Sequence, residues 1–113
     1  MKVKRGTLYL ANLNPPRGTE AGKLRPVVVI QSDLLNEAGH PSTWVLPCTT
    51  QLTPTNILRV RLPSGCAGNH KECDVMVDQS RTIDNRRLEK TLGAIPQPLL
   101  AEVEEKLRLI GSL

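Results

Sequence analysis

Phenylalanine is absent from this chain, and Tyr9 and Trp44 are its only aromatic side chains. That excludes a sheet displaying a row of base-stacking aromatics, as RRM-type single-strand platforms do. Cysteine is scarce too: Cys48, Cys66 and Cys73 are odd in number and too few for a disulfide scaffold. The two histidines, His40 and His70, sit in turn-rich surroundings with no signature of a nucleophilic triad, so each reads as an exposed structural residue. No apolar run approaches a membrane span. Lys2, Lys4 and Arg5 lead into Gly6-Thr7-Leu8-Tyr9-Leu10, which is too short for a signal-peptide core and has no small-residue cleavage site. The expectation is a cytoplasmic protein of one domain, residues 1–113, with no membrane contact.

Metal and phosphate-loop patterns are also lacking. Cys66, His70 and Cys73 are ligand types that zinc accepts, but no Cys-x2-Cys pair and no fourth ligand accompany them. Asp74 and Asp78, four apart on a strand, share a face at a spacing too wide for one metal ion. Gly18-Thr19-Glu20-Ala21-Gly22-Lys23-Leu24 is one residue short of a P-loop, has Leu24 where a magnesium-binding hydroxyl is needed, and precedes a strand rather than a helix.

What is present is a one-sided charge. Residues 1–25 hold six basic side chains against Glu20 alone, a local charge of +5, whereas the other 88 residues hold nine basic and ten acidic ones. This is the footprint of a polyanion binder, although basic termini are common and charge alone leaves the partner open.

Short strands dominate the pattern. Thr7–Ala11 reads as a strand, broken by Asn12-Leu13-Asn14-Pro15-Pro16-Arg17-Gly18. Residues 25–32 form the central strand, and Asp33-Leu34-Leu35-Asn36 a helical turn capped by Asp33. Thr43–Leu46 is a third strand running on to Thr50, with Pro47 implying a sheet edge or bulge. In Asn56–Leu62, Leu58, Val60 and Leu62 face one way and Arg59 and Arg61 the other, the mark of a half-exposed antiparallel strand. Cys73–Asp78 is a further strand. After Pro96-Gln97-Pro98, the residues Leu99, Leu100, Val103, Leu107 and Ile110 recur at helical spacing, with Pro98 in the first turn and Gly111 at the end. The fold expected is mainly β (α+β): a small barrel closed by a C-terminal helix.

Arg25-Pro26-Val27-Val28-Val29-Ile30 concentrates the chemistry. Four β-branched residues in a row are too apolar to alternate, so this strand should be buried on both faces. A guanidinium at the mouth of so rigid an element is well placed to hold a phosphate. An arginine there also serves simply as a strand-end cap, and this stretch alone leaves both readings open. With Glu20 and the hydroxyl pair Thr49-Thr50, Arg25 suits a metal-free cleavage in which the 2′-hydroxyl of RNA attacks the adjacent phosphate.

Lys4-Arg5-Gly6, Asn14-Pro15, Gly18-Thr19-Glu20, Lys23-Leu24-Arg25-Pro26-Val27-Val28-Val29, Val45-Leu46-Pro47-Cys48-Thr49-Thr50-Gln51 and Asp78-Gln79-Ser80-Arg81-Thr82-Ile83-Asp84 occur in an order that resembles the MazF/PemK-type toxins of bacterial toxin–antitoxin systems. The resemblance runs from about residue 3 into the C-terminal helix. It implies a small SH3-like β-barrel with a C-terminal helix, working as a homodimer. It also implies a sequence-specific endoribonuclease that needs no metal or cofactor and cuts single-stranded RNA to 2′,3′-cyclic phosphate and 5′-hydroxyl ends. A cognate MazE-like antitoxin would neutralise it.

The catalytic residues implied are Arg25 and Thr49, with Thr50, the register neighbour of Thr49, ranked second; because an arginine is a poor proton acceptor at neutral pH, the base is Glu20 or a water. Arg17, Thr19, Lys23, Thr50, Gln51, Asp78 and Gln79 are the implied RNA contacts. In the PemK/Kid branch an arginine and a histidine stand where this chain has Met76 and Thr19, so that branch's acid–base scheme does not carry over intact. The gyrase-poisoning CcdB toxins share the barrel architecture and act by protein binding without RNA cleavage, but they need neither Arg25 with Thr49 nor the basic loop.

Overall fold

The computed structural model describes residues 1–15, 18, 19, 22–54 and 57–113. The elements are β1 (Thr7–Asn12), β2 (Leu24–Val29), α1 (Asp33–Glu37), β3 (Ser42–Thr49), β4 (Arg59–Leu62), β5 (Cys73–Met76), β6 (Arg81–Asp84), β7 (Leu88–Ala94) and α2 (Gln97–Gly111). Among the described residues all strand pairings are antiparallel. The strands follow the order β4-β5-β3-β2-β1-β7, and β6 pairs with the first half of β3. Among the described residues no ladder joins β7 to β6 or to β4. The fold is the mainly β one expected, with the C-terminal helix packed on the sheet; among the described residues the sheet does not close fully on itself.

β2 lies at the centre and is buried on both faces, as its run of β-branched residues requires. Val27 and Val29 join one core with Tyr9, Leu13, Val45 and Ile83. Val28 and Ile30 join the other, with Leu8, Leu46, Val60, Val75 and Val103 of α2. Each of these side chains, taken fully out of water, contributes about 1.5–3 kcal/mol.

β3 changes partners along its length. Residues 42–45 pair with β6, and Cys48 and Thr49 pair with β5. Pro47 falls in the gap between, where its missing N–H breaks no ladder. It therefore marks a change of partner within a central strand, not the edge or bulge read from the sequence.

The short helix α1 is capped by Ser32, whose hydroxyl accepts the Leu34 N–H (3.2 Å). Asp33, expected in that role, instead accepts the Arg5 N–H (2.9 Å) and an Asn36 amide (3.0 Å), which hold its carboxyl below the usual carboxylate range. The strand expected over Asn56–Leu62 begins at Arg59, and Asn56 lies outside the described residues. The strand expected to reach Asp78 stops at Met76 and turns into a 3₁₀ turn, Val77–Gln79. The strands β6 and β7 were not legible in the pattern. The C-terminal helix matches its expected span, with Ser112 in the left-handed region just past Gly111 (φ 53°).

Candidate active site

Arg25 is held in place by a proline's lack of an N–H. Ile30 donates to the Trp44 carbonyl (3.0 Å), so even-numbered residues of β2 direct their backbone groups at β3. Extending this register one residue past the Val27–Pro47 pair sets Pro26 opposite Cys48, with nothing to donate. The Cys48 carbonyl instead takes the Arg25 guanidinium (Nη1 to O, 3.4 Å), while Arg25 Nε donates to the Gly22 carbonyl (2.7 Å). Two backbone acceptors thus orient the half-buried guanidinium and leave its remaining N–H groups for a ligand.

A cleft of about 200 Å³ opens beside it, lined by Lys23, Leu24, Arg25, Pro26, Cys48, Thr49, Thr50 and Gln51. Thr49 is buried, and its hydroxyl accepts the Gln51 N–H (3.1 Å), which bends the chain as it leaves β3. Thr50 and Gln51 are exposed at the rim. Lys23 is brought to the cleft by an Asn14 clasp. The Lys23 N–H donates to Asn14 Oδ1 (2.7 Å), and its carbonyl accepts the Leu13 N–H (2.8 Å). Arg87 secures the same clasp from outside, donating to the carbonyls of Asn12 (3.0 Å) and Asn14 (2.7 Å).

Of the residues singled out in the sequence, the cleft therefore gathers Arg25, Thr49, Thr50, Gln51 and Lys23. Thr19 is exposed, Asp78 is exposed and Gln79 half-buried on the 3₁₀ turn, and none of the three lines the cleft. Arg17 and Glu20 lie outside the described residues.

Behind the cleft is a charge cluster that the sequence reading missed. Arg61, Asp74 and Thr49 stand in one row across β4, β5 and β3. The Asp74 carboxylate, 2% exposed, accepts Arg61 Nε (2.6 Å) and the Thr53 N–H (3.0 Å), with Arg59 Nη1 3.8 Å away. Burial works to raise its pKa, but the Arg61 and Thr53 hydrogen bonds and the two cations outweigh it, so the carboxyl titrates below its usual value. Arg59 also donates to the Gln51 carbonyl (3.0 Å). The cluster thereby ties down the segment that follows Thr49. Its trace in the sequence is a pair of arginines two apart on an alternating strand and a carboxylate inside the next apolar strand.

The free Cys48 thiol lines the cleft, where its hydrogen bond with the Cys73 thiol and its burial push its pKa well up. It stays neutral at physiological pH and offers no thiolate.

Residues 4–111 match the family described as PemK-like, MazF-like toxin of type II toxin–antitoxin system. The chain is 33% identical over 110 residues to Endoribonuclease EndoA of Bacillus subtilis, covering 96% of this chain and 94% of that protein. It is 30% identical over 111 residues to Endoribonuclease MazF9 of Mycobacterium tuberculosis, covering 95% and 94%. The crystal structure of MazF from Deinococcus radiodurans superposes with a TM-score of 0.86 at 26% identity, covering 100% of this chain and 99% of that one.

Proposed function

The chain belongs to the PemK-like, MazF-like toxin family of type II toxin–antitoxin systems, and we propose that it is a metal-independent endoribonuclease that cuts single-stranded RNA at preferred sequences. The observation that carries this reading is the convergence of Arg25 and Thr49 on one cleft, with the guanidinium fixed by two backbone carbonyls. A preorganised bidentate donor is suited to the charge that develops on a phosphorane.

In the reaction proposed, the 2′-oxygen attacks the adjacent phosphorus and the bond to the 5′-oxygen breaks. Glu20 or a water takes the 2′-hydroxyl proton, and the departing 5′-oxygen gains one from a water. The products are a 2′,3′-cyclic phosphate and a 5′-hydroxyl. Arg25 stabilises the phosphorane, and the Thr49 or Thr50 hydroxyl donates to a non-bridging oxygen. Arg17, Thr19, Lys23, Gln51, Asp78 and Gln79 contact the flanking RNA. The protein acts in the cytoplasm as a homodimeric, single-domain toxin, and a MazE-like antitoxin silences it by covering the RNA groove. A gyrase poison has no use for the arginine clamp.

The test is a long mixed-sequence RNA incubated with the protein in EDTA, beside a 2′-deoxy substrate. Cleavage of the first and not of the second is expected. Arg25→Ala should lower the rate at least about 100-fold, the scale of losing one transition-state donor; a near-normal rate removes Arg25 from the mechanism.

A further inference from the structure

A second pocket adjoins the cleft and shares two of its wall residues, Pro26 and Thr50. Its volume is about 260 Å³. That is below the range of about 300–1,000 Å³ which takes whole drug-sized ligands, and fits the scale of a single base. The construction follows from the ladder. Lys90 of β7 is opposite Leu10 of β1, which is opposite Pro26 of β2, so one row leads from the pocket to the cleft. Leu10, Pro26, Cys73 and Leu92 give it an apolar lining, and His70, Lys71 and Lys90 stand around it exposed.

The loop that delivers His70 and Lys71 is rigid. Asn69 is buried with its amide fully engaged: Oδ1 accepts the Ala67 N–H (3.1 Å), and Nδ2 donates to the carbonyls of Pro63 (3.1 Å) and Lys71 (2.9 Å). Gly68 lets this loop lie against β7, since a Cβ there would stand 2.5 Å from the Leu92 carbonyl oxygen. Among the described residues neither Lys71 nor Lys90 has an ion-pair partner. Among the described residues no carboxylate lines the pocket.

We propose that this pocket receives the base of a nucleotide flanking the scissile phosphate, with Lys71 and Lys90 meeting the neighbouring phosphates, and that part of the cleavage-site preference is set here. The inference rests on the ribonuclease reading. An apolar recess in contact with a phosphate clamp suits a flat base. Its two unpaired cations favour a polyanion over an apolar protein segment. In a chain this poor in aromatics, aliphatic walls take the place of stacking rings.

The experiment titrates the folded protein with short single-stranded RNAs, one of each base, 2′-O-methylated at every position to block cleavage. Binding is followed through the methyl NMR signals of Leu10 and Leu92, and cleavage of a randomised RNA pool is sequenced in parallel. Base-dependent shifts at both leucines are expected. Leu92→Trp, which fills the pocket, should flatten the preference at one flanking position by at least about 10-fold, the discrimination typical of pocket shape. Lys71→Ala with Lys90→Ala should make the dependence of log affinity on log salt shallower by about 0.7 per lysine. Both lysines are exposed, so this pair keeps the test decisive even if the tryptophan variant misfolds. RNA that is bound and cut with no shift at the leucines and an unchanged site preference overturns the pocket and leaves the ribonuclease reading intact. Lysine variants that weaken antitoxin binding while RNA binding is unaltered overturn it in favour of a protein-docking role. RNA neither bound nor cut by the wild type overturns both.

Discussion

Asp74→Asn is the substitution whose consequence the structure specifies best. The carboxylate is nearly inaccessible and serves Arg61 Nε at 2.6 Å, the Thr53 N–H at 3.0 Å and Arg59 at 3.8 Å. An amide carries no charge, and its one oxygen cannot stand in for both Oδ1, which accepts Arg61 Nε, and Oδ2, which accepts the Thr53 N–H. Breaking a buried ion pair by removing one partner costs about 3–5 kcal/mol. The arginine side chains left behind are 20% and 40% exposed and regain some hydration, which places the loss near the lower figure, about 3 kcal/mol. At about 4 °C per kcal/mol for a domain of this size, the melting temperature should fall by about 12 °C at pH 7.

The pH dependence has a definite sign. The folded-state carboxyl titrates below its unfolded value, so the wild type's advantage is complete above about pH 4 and disappears as pH falls through the folded value. Calorimetric scans of both proteins from pH 7 to pH 2 read this directly. A melting difference under about 1 °C at pH 7 would place Asp74 among pairs that contribute nothing measurable, and a difference that persists unchanged at the acid end would show that ionisation is not its source. Cleavage, assayed well below both melting temperatures, should also slow, because the segment after Thr49 loses its anchor.

Three further outcomes follow from the site. Pro26→Ala restores an N–H opposite the Cys48 carbonyl and displaces Arg25 from it; melting should change by less than about 1 kcal/mol equivalent, since a new hydrogen bond and a more flexible unfolded chain nearly cancel. Cleavage by that variant should nevertheless fall several-fold, and an unchanged rate would show that the proline does not orient the arginine. Arg87→Ala releases the carbonyls of Asn12 and Asn14, so hydrogen exchange at the Lys23 amide should accelerate and KM for RNA rise more than kcat falls; equal protection in both proteins would remove Arg87 from that role. Glu20→Gln should remove the acidic limb of the pH–rate profile if Glu20 is the base, and an unchanged profile assigns the proton to water.

The sequence disclosed what depends on local pattern. Val27 to Ile30 could only be a doubly buried strand, and the spacing from Leu99 to Leu107 could only serve a helix with one packed face. It concealed what depends on pairing. β7 shows no period of two because two register shifts against β1 interrupt its alternation. β6 is four residues long and buries only Ile83. The Arg61–Asp74–Thr49 row exists only once three separate strands are aligned. At the site, Arg25 and Thr49 were legible as residue types, whereas the carbonyls that aim Arg25 belong to Gly22 and Cys48, where backbone rather than side chain does the work.

The double burial of β2 also bears on how such a protein diversifies. Beyond Pro26, its mount for Arg25 is sandwiched between two cores, so almost any change from Val27 to Ile30 is a folding defect before it is a change of activity. The surfaces around it, Thr50 and Gln51 at one rim and His70, Lys71 and Lys90 at another, are exposed. Heritable variation is thereby channelled to the periphery. A library that randomises only Gln51, His70, Lys71 and Lys90 would test whether target preference can be changed while Arg25, Thr49 and Thr50 are kept.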